Sequence, residues 1–391
     1  MAGSPIKKRA LIWILGGALL IALIAAVIVI PKIQNLWTTP LGPGLGLSTR
    51  TPTITSPTDA PPELPSPSAN AALESANTTT PSSPTLTPLP TLTFTPTPAP
   101  LCGGPPVMTL LGIGADNRSD NYLYGLADVI RLARVDFITP KVTVLSIPRD
   151  LWVEIPEISD HYGITHGKLN QAYLYGGPGM GYYDGPGGGP GLLARTLDLN
   201  FGFFSDHYGA VNMLTFVKIV NAVGGIDVYL PTDVDGTPID EKTEDMGYFY
   251  AGDNHFSGEQ ALRFVRVRKR YNDMTRMDHQ TMVLCALREK LLSPSVLPKI
   301  PEIISSFSDS IVTDLTPQQI GQLACLLPQV PRENLIFTGF PDEIFTPGRE
   351  YSQEYKDYTF VLKVDNAVIR DYFAQFMAGE WPTEPDEPSC P

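Results

Sequence analysis

Arginine and aspartate are the residues whose types and spacing carry chemistry in this chain. The stretch FVRVRKRYNDMTRMDHQ, Phe264 to Gln280, packs five Lys/Arg residues into seventeen positions of a chain whose formal net charge is −13. Arg266 and Arg268 alternate with Val265 and Val267, so in an extended segment both side chains point the same way. Two guanidiniums side by side repel unless an anion lies between them, and their planar forks suit phosphate oxygens. The alternative is a solvated basic face resting on acidic lipid, a reading also open to Lys269 and Arg270. Further on, Arg276, Gln280, Val283, Leu284, Leu287 and Leu291 fall on one helical face. That face is apolar from Val283 onward and turns to a core. Arg276 and Gln280 then point inward at its start, where a charge needs a partner or an anionic ligand. An Arg276 head that snorkels to water is the alternative.

The carboxylates sit in the other half. Asp116 follows the apolar run VMTLLGIG (Val107 to Gly114), at the sheet edge where α/β proteins place ligands. Asp128 opens the next strand, which runs back from that edge. Arg149 and Asp150 close a third strand, in SIPRD; if it pairs as a hairpin with the second, its end returns beside Asp128. Two carboxylates brought together there suit Mg²⁺, which takes a few carboxylates plus phosphate oxygens. Carboxylates, arginines and an exterior location together suggest metal-assisted chemistry on a phosphate ester or diphosphate.

The elements that must position these residues follow from pattern. Strands are expected at Val107 to Gly114, Asp128 to Phe137, Lys141 to Ile147, His207 to Met213, Ile226 to Leu230 and Asn334 to Thr338. Helices are expected at Lys168 to Tyr175, Leu192 to Leu199, Leu214 to Val223, from Gln260 behind a Ser257/Gln260 capping box, from Thr275 to Leu292, and at Pro317 to Leu327 and Asp365 to Met377. The alternation predicts a mixed central sheet with helices on both faces, an α/β/α sandwich.

Ahead of this domain, Ala10 to Ile30 contains no charged side chain. As a helix it spans roughly 30 Å, the thickness of a bilayer core. Lys7, Lys8 and Arg9 precede it, which places the N-terminus in the cytoplasm and everything after Ile30 outside. A cleaved signal peptide is the alternative. Residues from about Trp37 to Pro100 are dense in Pro, Ser and Thr and read as a disordered, semi-rigid stalk. The expected layout is a cytoplasmic tail (1–9), a transmembrane helix (10–30), a stalk (31–101), a catalytic domain (102–292) and a C-terminal extension packed on it (293–391). An acidic exterior domain with no helix-turn-helix signal argues against nucleic acid as a partner. A mere stalked adhesin leaves the inward arginines unexplained.

Cys102, Cys285, Cys325 and Cys390 are even in number in a domain that meets oxidising conditions, so two disulfides are expected. Cys285 and Cys325 lie in apolar helical stretches, and Cys102 and Cys390 sit at the domain's two ends, which often lie close. The pairing expected is Cys285–Cys325 with Cys102–Cys390.

Five stretches in order resemble the LytR–CpsA–Psr family of envelope phosphotransferases. They are LLGIGADNR, ADVIRLARVDFITPKVTVLSIPRDLWVEIP, GKLNQAYLYGG, VNMLTFVKIVNAVGGIDVYLP and FSGEQALRFVRVRKRYNDMTRMDHQ, within Val107 to Leu292. The resemblance implies a domain that binds an undecaprenyl-diphosphate-linked glycan and transfers it, with its linking phosphate, to peptidoglycan or another wall acceptor. Asp116 and Asp128 match the acidic residues near Mg²⁺. Arg149, Arg266, Arg268 and Arg276 match diphosphate-contacting arginines, and Gln280 matches the glutamine one turn later. Lys168 and Arg118 match other polar positions. Asp116, Asp128, Arg149 and Arg268 form the expected catalytic set, and the isoprenoid tail is expected between sheet and helices. Two departures stand out. Leu126 and His279 occupy positions where many members carry Arg, and a protonated His279 is a candidate substitute. A pyrophosphatase with water as acceptor, or a non-catalytic lipid-diphosphate-binding regulator, are the rival functions.

Overall fold

The computed structural model describes residues 37–47, 98–117, 119, 122–241, 243–268, 273–307, 310–383 and 390. The expected membrane helix, the stalk from 48 to 97, Arg118, Lys269 and Arg270 lie outside the described residues. Among the described residues, no helix is long and apolar enough to cross a membrane.

Three apolar strands form first: β1 (Val107–Ala115), β2 (Ala127–Asp136) and β3 (Lys141–Ser146). After β3 come β4 (Trp152–Glu154), β5 (His166–Lys168), α1 (Leu169–Gly176), α2 (Gly188–Phe201), β6 (His207–Asn212) and α3 (Met213–Ala222). Next are β7 (Ile226–Leu230), β8 (Val234–Gly236), β9 (Gly247–Phe249), β10 (Gly252–Phe256), α4 (Gly258–Phe264) and α5 (Asp273–Leu292). The chain continues through α6 (Ile300–Phe307), β11 (Val312–Thr313), α7 (Pro317–Leu326), β12 (Leu335–Gly339), β13 (Thr346–Ser352), β14 (Asp357–Lys363) and α8 (Asn366–Ala378). The capping box at Ser257 and Gln260 starts α4 as its sequence implies.

The central sheet has the order β11-β6-β1-β2-β3-β12 and is mixed. The β1–β2 and β2–β3 pairs are antiparallel, while β6 and β12 join in parallel. One face carries Leu111, Ile113, Leu132 and Leu145, which pack on Leu169 and Ala172 of α1, Leu193 and Leu197 of α2, and Phe373 and Phe376 of α8. The other face meets α5. Arg131, on β2, reaches across to it, donating from Nη2 to the Met277 carbonyl (3.0 Å) and from Nη1 to Thr281 Oγ1 (3.2 Å). Helices therefore cover both faces.

Three expectations change. The boundary at 292 is not a boundary. Both edge strands, β11 and β12, come after it, and Phe373 and Phe376 are fully shielded in the main core. Truncating such a ring costs about 3–5 kcal/mol, so this segment is part of the domain's own core. Two-residue β11 is too short to show a strand period, whereas β12 lies where the strand at Asn334 to Thr338 is expected.

Part of the expected stalk is folded. Leu45 is buried, Leu41 N donates to the Leu315 carbonyl, and Tyr208 Oη donates to the Pro43 carbonyl. The leucines of LGPGLGL supply apolar surface that the Pro/Thr-rich stretches lack.

The cysteines pair differently from expectation: Cys102–Cys325 and Cys285–Cys390, with Cα separations of 5.9 and 5.5 Å. Cys102 and Cys390, at the two ends of the domain, both lie at one cluster containing Met108, Phe137, Cys285 and Leu326. Each end is stapled to a helix of that cluster, α7 or α5, and the ends are not tied to each other.

Candidate active site

The antiparallel β1–β2–β3 meander brings the acidic residues together. Asp116 follows β1, Asp128 is the second residue of β2, and Ala115 pairs with Ala127 after a register shift at Gly114. The intervening loop is closed at its neck. Asp116 N donates to the Leu126 carbonyl (3.0 Å), and Leu126 N donates to Asp116 Oδ1 (2.6 Å). Leu126 thus holds Asp116 through its backbone, a role that needs no arginine side chain.

The end of β3 returns beside β2, as the hairpin reading requires. Arg149 Nη1 donates to Asp128 Oδ1 at 2.5 Å, and its Nε lies 3.6 Å from Asp150 Oδ2. Lys168 Nζ donates to Asp150 Oδ1 at 2.8 Å. Asp128, Arg149, Asp150 and Lys168 therefore form one alternating row of charge. Burial raises the pKa of Asp116; its Leu126 hydrogen bond opposes this, Asp128 adds to it, and Arg149 and Arg266 oppose it.

Arg266 and Arg268 approach from the opposite side, but not on a strand. After α4 the backbone turns, with Arg266 N donating to the Arg263 carbonyl and Val267 N to the Phe264 carbonyl. Val267 is buried and anchors the turn, leaving Arg266 and Arg268 on either side of it. Both still line the same cavity as Asp116 and Asp128. On α5, Arg276 and Gln280 are buried one turn apart and face that cavity as well.

The cavity encloses about 940 Å³ between the sheet's second face and α5. Its mouth carries Asp116, Asp128, Arg266, Arg268, Arg276 and Gln280. Away from these residues it is mainly apolar, with Val283, Leu284, Leu287 and Leu291 continuing the α5 face that the sequence marks, and buried Arg131 and Arg288 also in its lining. The floor includes Gly112 and Gly209, which pair in register across β1 and β6. A Cβ on Gly209 would meet no atom within 4 Å, and one on Gly112 would only touch Arg131. Their lack of side chains therefore serves open space, not close packing. This is where the resemblance implies an isoprenoid tail.

Three further residues escaped the sequence reading. Glu244, on the β8–β9 connection, accepts from Arg266 Nη2 at 2.8 Å and Nη1 at 3.4 Å. Tyr355, in the β13–β14 turn, has a phenol whose pKa burial raises; Gln171 opposes this, and Glu354, Asp116 and Asp128 add to it. Arg131 lies buried in the cavity wall, where burial pulls its pKa down to about 10 and Asp278 opposes the shift. It stays charged at neutral pH and ties α5 to the sheet. A basic residue amid VIRLARV was the available signal for it; nothing comparable marked Glu244 or Tyr355.

His279 does not substitute for an arginine. It is buried, its ring lies 4.6 Å from that of Phe264, and burial lowers its pKa to about 4. It is neutral at physiological pH and packs away from the mouth's lining residues.

Comparison with known proteins places this geometry in a family. The chain is 32% identical over 219 residues to the polyisoprenyl-teichoic acid–peptidoglycan teichoic acid transferase TagU of Oceanobacillus iheyensis, covering 55% of this chain and 61% of that protein. It is 30% identical over 212 residues to TagV of Bacillus subtilis, a transferase of the same description, covering 53% and 49%. The matched segment thus spans only about half to three fifths of these relatives. Among solved structures, B. subtilis TagV aligns with a TM-score of 0.53 at 24% identity, over 71% of this chain and 98% of that one. TagT bound to LIIa-WTA aligns with a TM-score of 0.51 at 20% identity, over 70% and 90%. These two likenesses show the fold. The model of the LytR_cpsA_psr family matches residues 104–369, more than half of the sequence, and the chain belongs to that family.

Proposed function

We propose that the chain is a membrane-anchored, extracytoplasmic transferase. It moves a glycan with its linking phosphate from a polyprenyl-diphosphate carrier, such as undecaprenyl diphosphate, to a hydroxyl of peptidoglycan or another wall polymer. The observation that carries this reading is one cavity with two chemistries: an apolar trough that ends in a mouth lined by Asp116, Asp128, Arg266, Arg268, Arg276 and Gln280. A long prenyl chain gains by leaving water for such a trough, and a diphosphate at its end meets forked donors. The names of TagU and TagV, and TagT's complex with LIIa-WTA, support a wall polymer as cargo. Two disulfides support an oxidising exterior, with residues 10–30 as anchor.

In the reaction, the acceptor oxygen attacks the phosphorus nearer the glycan, and the bond from that phosphorus to the bridging oxygen breaks. The products are the glycan joined to the acceptor through one phosphate, and polyprenyl monophosphate. The acceptor's proton passes to a carboxylate or to water. Arg266, Arg268 and Arg276 hold the diphosphate and offset charge gathering on the bridging oxygen. Arg149 fixes Asp128, and Lys168 fixes Asp150 beside it. Arg118, outside the described residues, is kept as a proposed diphosphate donor on the family resemblance alone.

The donor set fits Mg²⁺. Asp116 and Asp128 each spend one hydrogen bond on Oδ1, of about four lone-pair sites per carboxylate. Bound there together with phosphate oxygens, Mg²⁺ would supply charge neutralisation.

Mass spectrometry of lipid extracted from the purified full chain tests the ligand class. A polyprenyl diphosphate, or its glycan-linked form, at near-stoichiometric amount is expected. A preparation that neither retains nor takes up such a lipid, while retaining a different one, would overturn the reading.

A further inference from the structure

We propose that the outer face of the β13–β14 hairpin is a docking platform for the uncharged sugar rings of a polysaccharide strand, the acceptor of the reaction proposed above. The inference rests on that reading for the word acceptor, but the face argues for a sugar ligand on its own geometry.

Register places Tyr351 opposite Tyr358 and Arg349 opposite Phe360. Alternation along both strands puts these four side chains on one face. The other face holds Ser352 and Val361, both buried against the domain. The outer face is not buried: Tyr351, Tyr358 and Phe360 are 48, 59 and 47% exposed. The Tyr351 and Tyr358 rings stand 5.6 Å apart at 72°. Three adjacent exposed rings on a short hairpin are more apolar surface than solubility favours, and such patches mark binding sites. Arg349 donates to the Tyr358 carbonyl, which holds the hairpin's outer surface in shape.

The platform leads to the reacting groups. Leu362 N donates to the Asp150 carbonyl at 2.8 Å, and Leu362 bridges to Leu151, so β14 is fastened to the segment that carries Arg149. At the hairpin's tip sits Tyr355, 52% exposed, with its phenol in the field of Asp116 and Asp128. A strand lying along Tyr351 and Tyr358 would therefore arrive beside the carboxylates.

Charge selects the class of partner. Residues 346–363 carry Arg349, Lys356 and Lys363 against Glu350, Glu354 and Asp357, with no net charge. An anionic polymer or an anionic bilayer would call for a basic surface. A pyranose instead offers a C–H face that stacks on an aromatic ring and hydroxyls that pair with phenols and mixed charges. That chemistry matches Tyr351, Tyr358, Phe360 and their charged neighbours.

The test uses the full chain, with uncross-linked peptidoglycan glycan strands as acceptor and chitohexaose as a soluble probe. In Tyr351→Ala/Tyr358→Ala/Phe360→Ala, KM for glycan strands should rise roughly tenfold or more, with kcat and lipid-diphosphate affinity within about twofold of wild type. Tyr351→Phe/Tyr358→Phe keeps the rings and should stay close to wild type. If the triple variant melts early, Tyr358→Ser alone, at the most exposed ring, should still raise KM. An unchanged KM in a folded variant would overturn the platform. Should wild type transfer nothing, the function proposed above fails, and chitohexaose titration still decides the platform: wild type must bind and the triple variant must not. Equal binding, or none by either, overturns it. So does a triple variant that loses only self-association, only adhesion to phosphatidylglycerol vesicles, or only protection of residues 49–97 from protease. Those outcomes would assign the face to a second copy, a membrane or the chain's own proline-rich segment.

Discussion

Glu244 holds Arg266 in a two-pronged pair, with its carboxylate oxygens 2.8 and 3.4 Å from the guanidinium. A diphosphate that binds Arg266 must displace a carboxylate that already mimics it. Both side chains are partly exposed, so the pair is worth about 1 kcal/mol or less. Glu244→Gln should therefore tighten binding of farnesyl diphosphate up to about fivefold by calorimetry. Arg266→Lys and Arg268→Lys keep charge but lose the fork, and each should weaken binding several-fold, roughly three to ten. Weaker binding by Glu244→Gln would mean that Glu244 helps the ligand instead of competing with it.

Asp116→Ala and Asp128→Ala should each lower transfer by about 10² or more while leaving the melting temperature within a few degrees, because they remove proposed metal ligands and not core. In Asp128→Ala, Arg149 keeps Asp150 as a neighbour, so no buried charge is stranded. Chelation of wild type by EDTA should give a comparable loss, restored by added Mg²⁺. Either variant retaining Mg²⁺-dependent turnover at the wild-type rate would refute the metal assignment.

The glycine floor gives a test independent of charge. Gly209→Leu starts from a Cβ position with no atom within 4 Å, so the side chain enters the cavity without striking the backbone. Undecaprenyl diphosphate affinity should fall about tenfold, from the trough volume lost, while farnesyl diphosphate affinity changes less. Equal loss for both lipids would place the long tail somewhere else.

His279 supplies a pH dependence of stability. Its folded pKa of about 4 lies below the ordinary 6.5, so the unfolded chain binds the extra proton between those values. The stabilisation is complete above about pH 6.5 and is lost as pH falls toward 4. His279→Gln should flatten the decline in melting temperature across that window relative to wild type. Parallel curves for the two proteins would show that His279 titrates alike in the folded and unfolded chain, and a steeper decline in the variant would show that the fold holds it charged, as an arginine substitute would be.

Much of the site was legible because it rests on local periodicity. Asp116, Asp128 and Arg149 meet because three apolar strands form a meander, and strand alternation and turns are written in sequence. The α5 face from Arg276 to Leu291 was legible for the same reason, at the helical period. What failed depended on long-range packing. Arg266 and Arg268 alternate with valines like a strand, yet Val267 is buried as the anchor of a turn. The disulfide partners follow from where Cys102 and Cys390, at the domain's two ends, land beside α7 and α5, which no local pattern encodes. Glu244 and Tyr355 reach the site from loops, far in sequence from the residues they face.

The most direct measurement follows the phosphorus. The full chain is incubated with Mg²⁺, uncross-linked peptidoglycan and a polyprenyl-diphosphate-linked glycan labelled only on the phosphate nearer the sugar. The expected result is label bound to peptidoglycan through the glycan, together with polyprenyl monophosphate in equal amount. Label released to water as glycan phosphate, with none on the wall polymer while acceptor is present in excess, would contradict the transferase account.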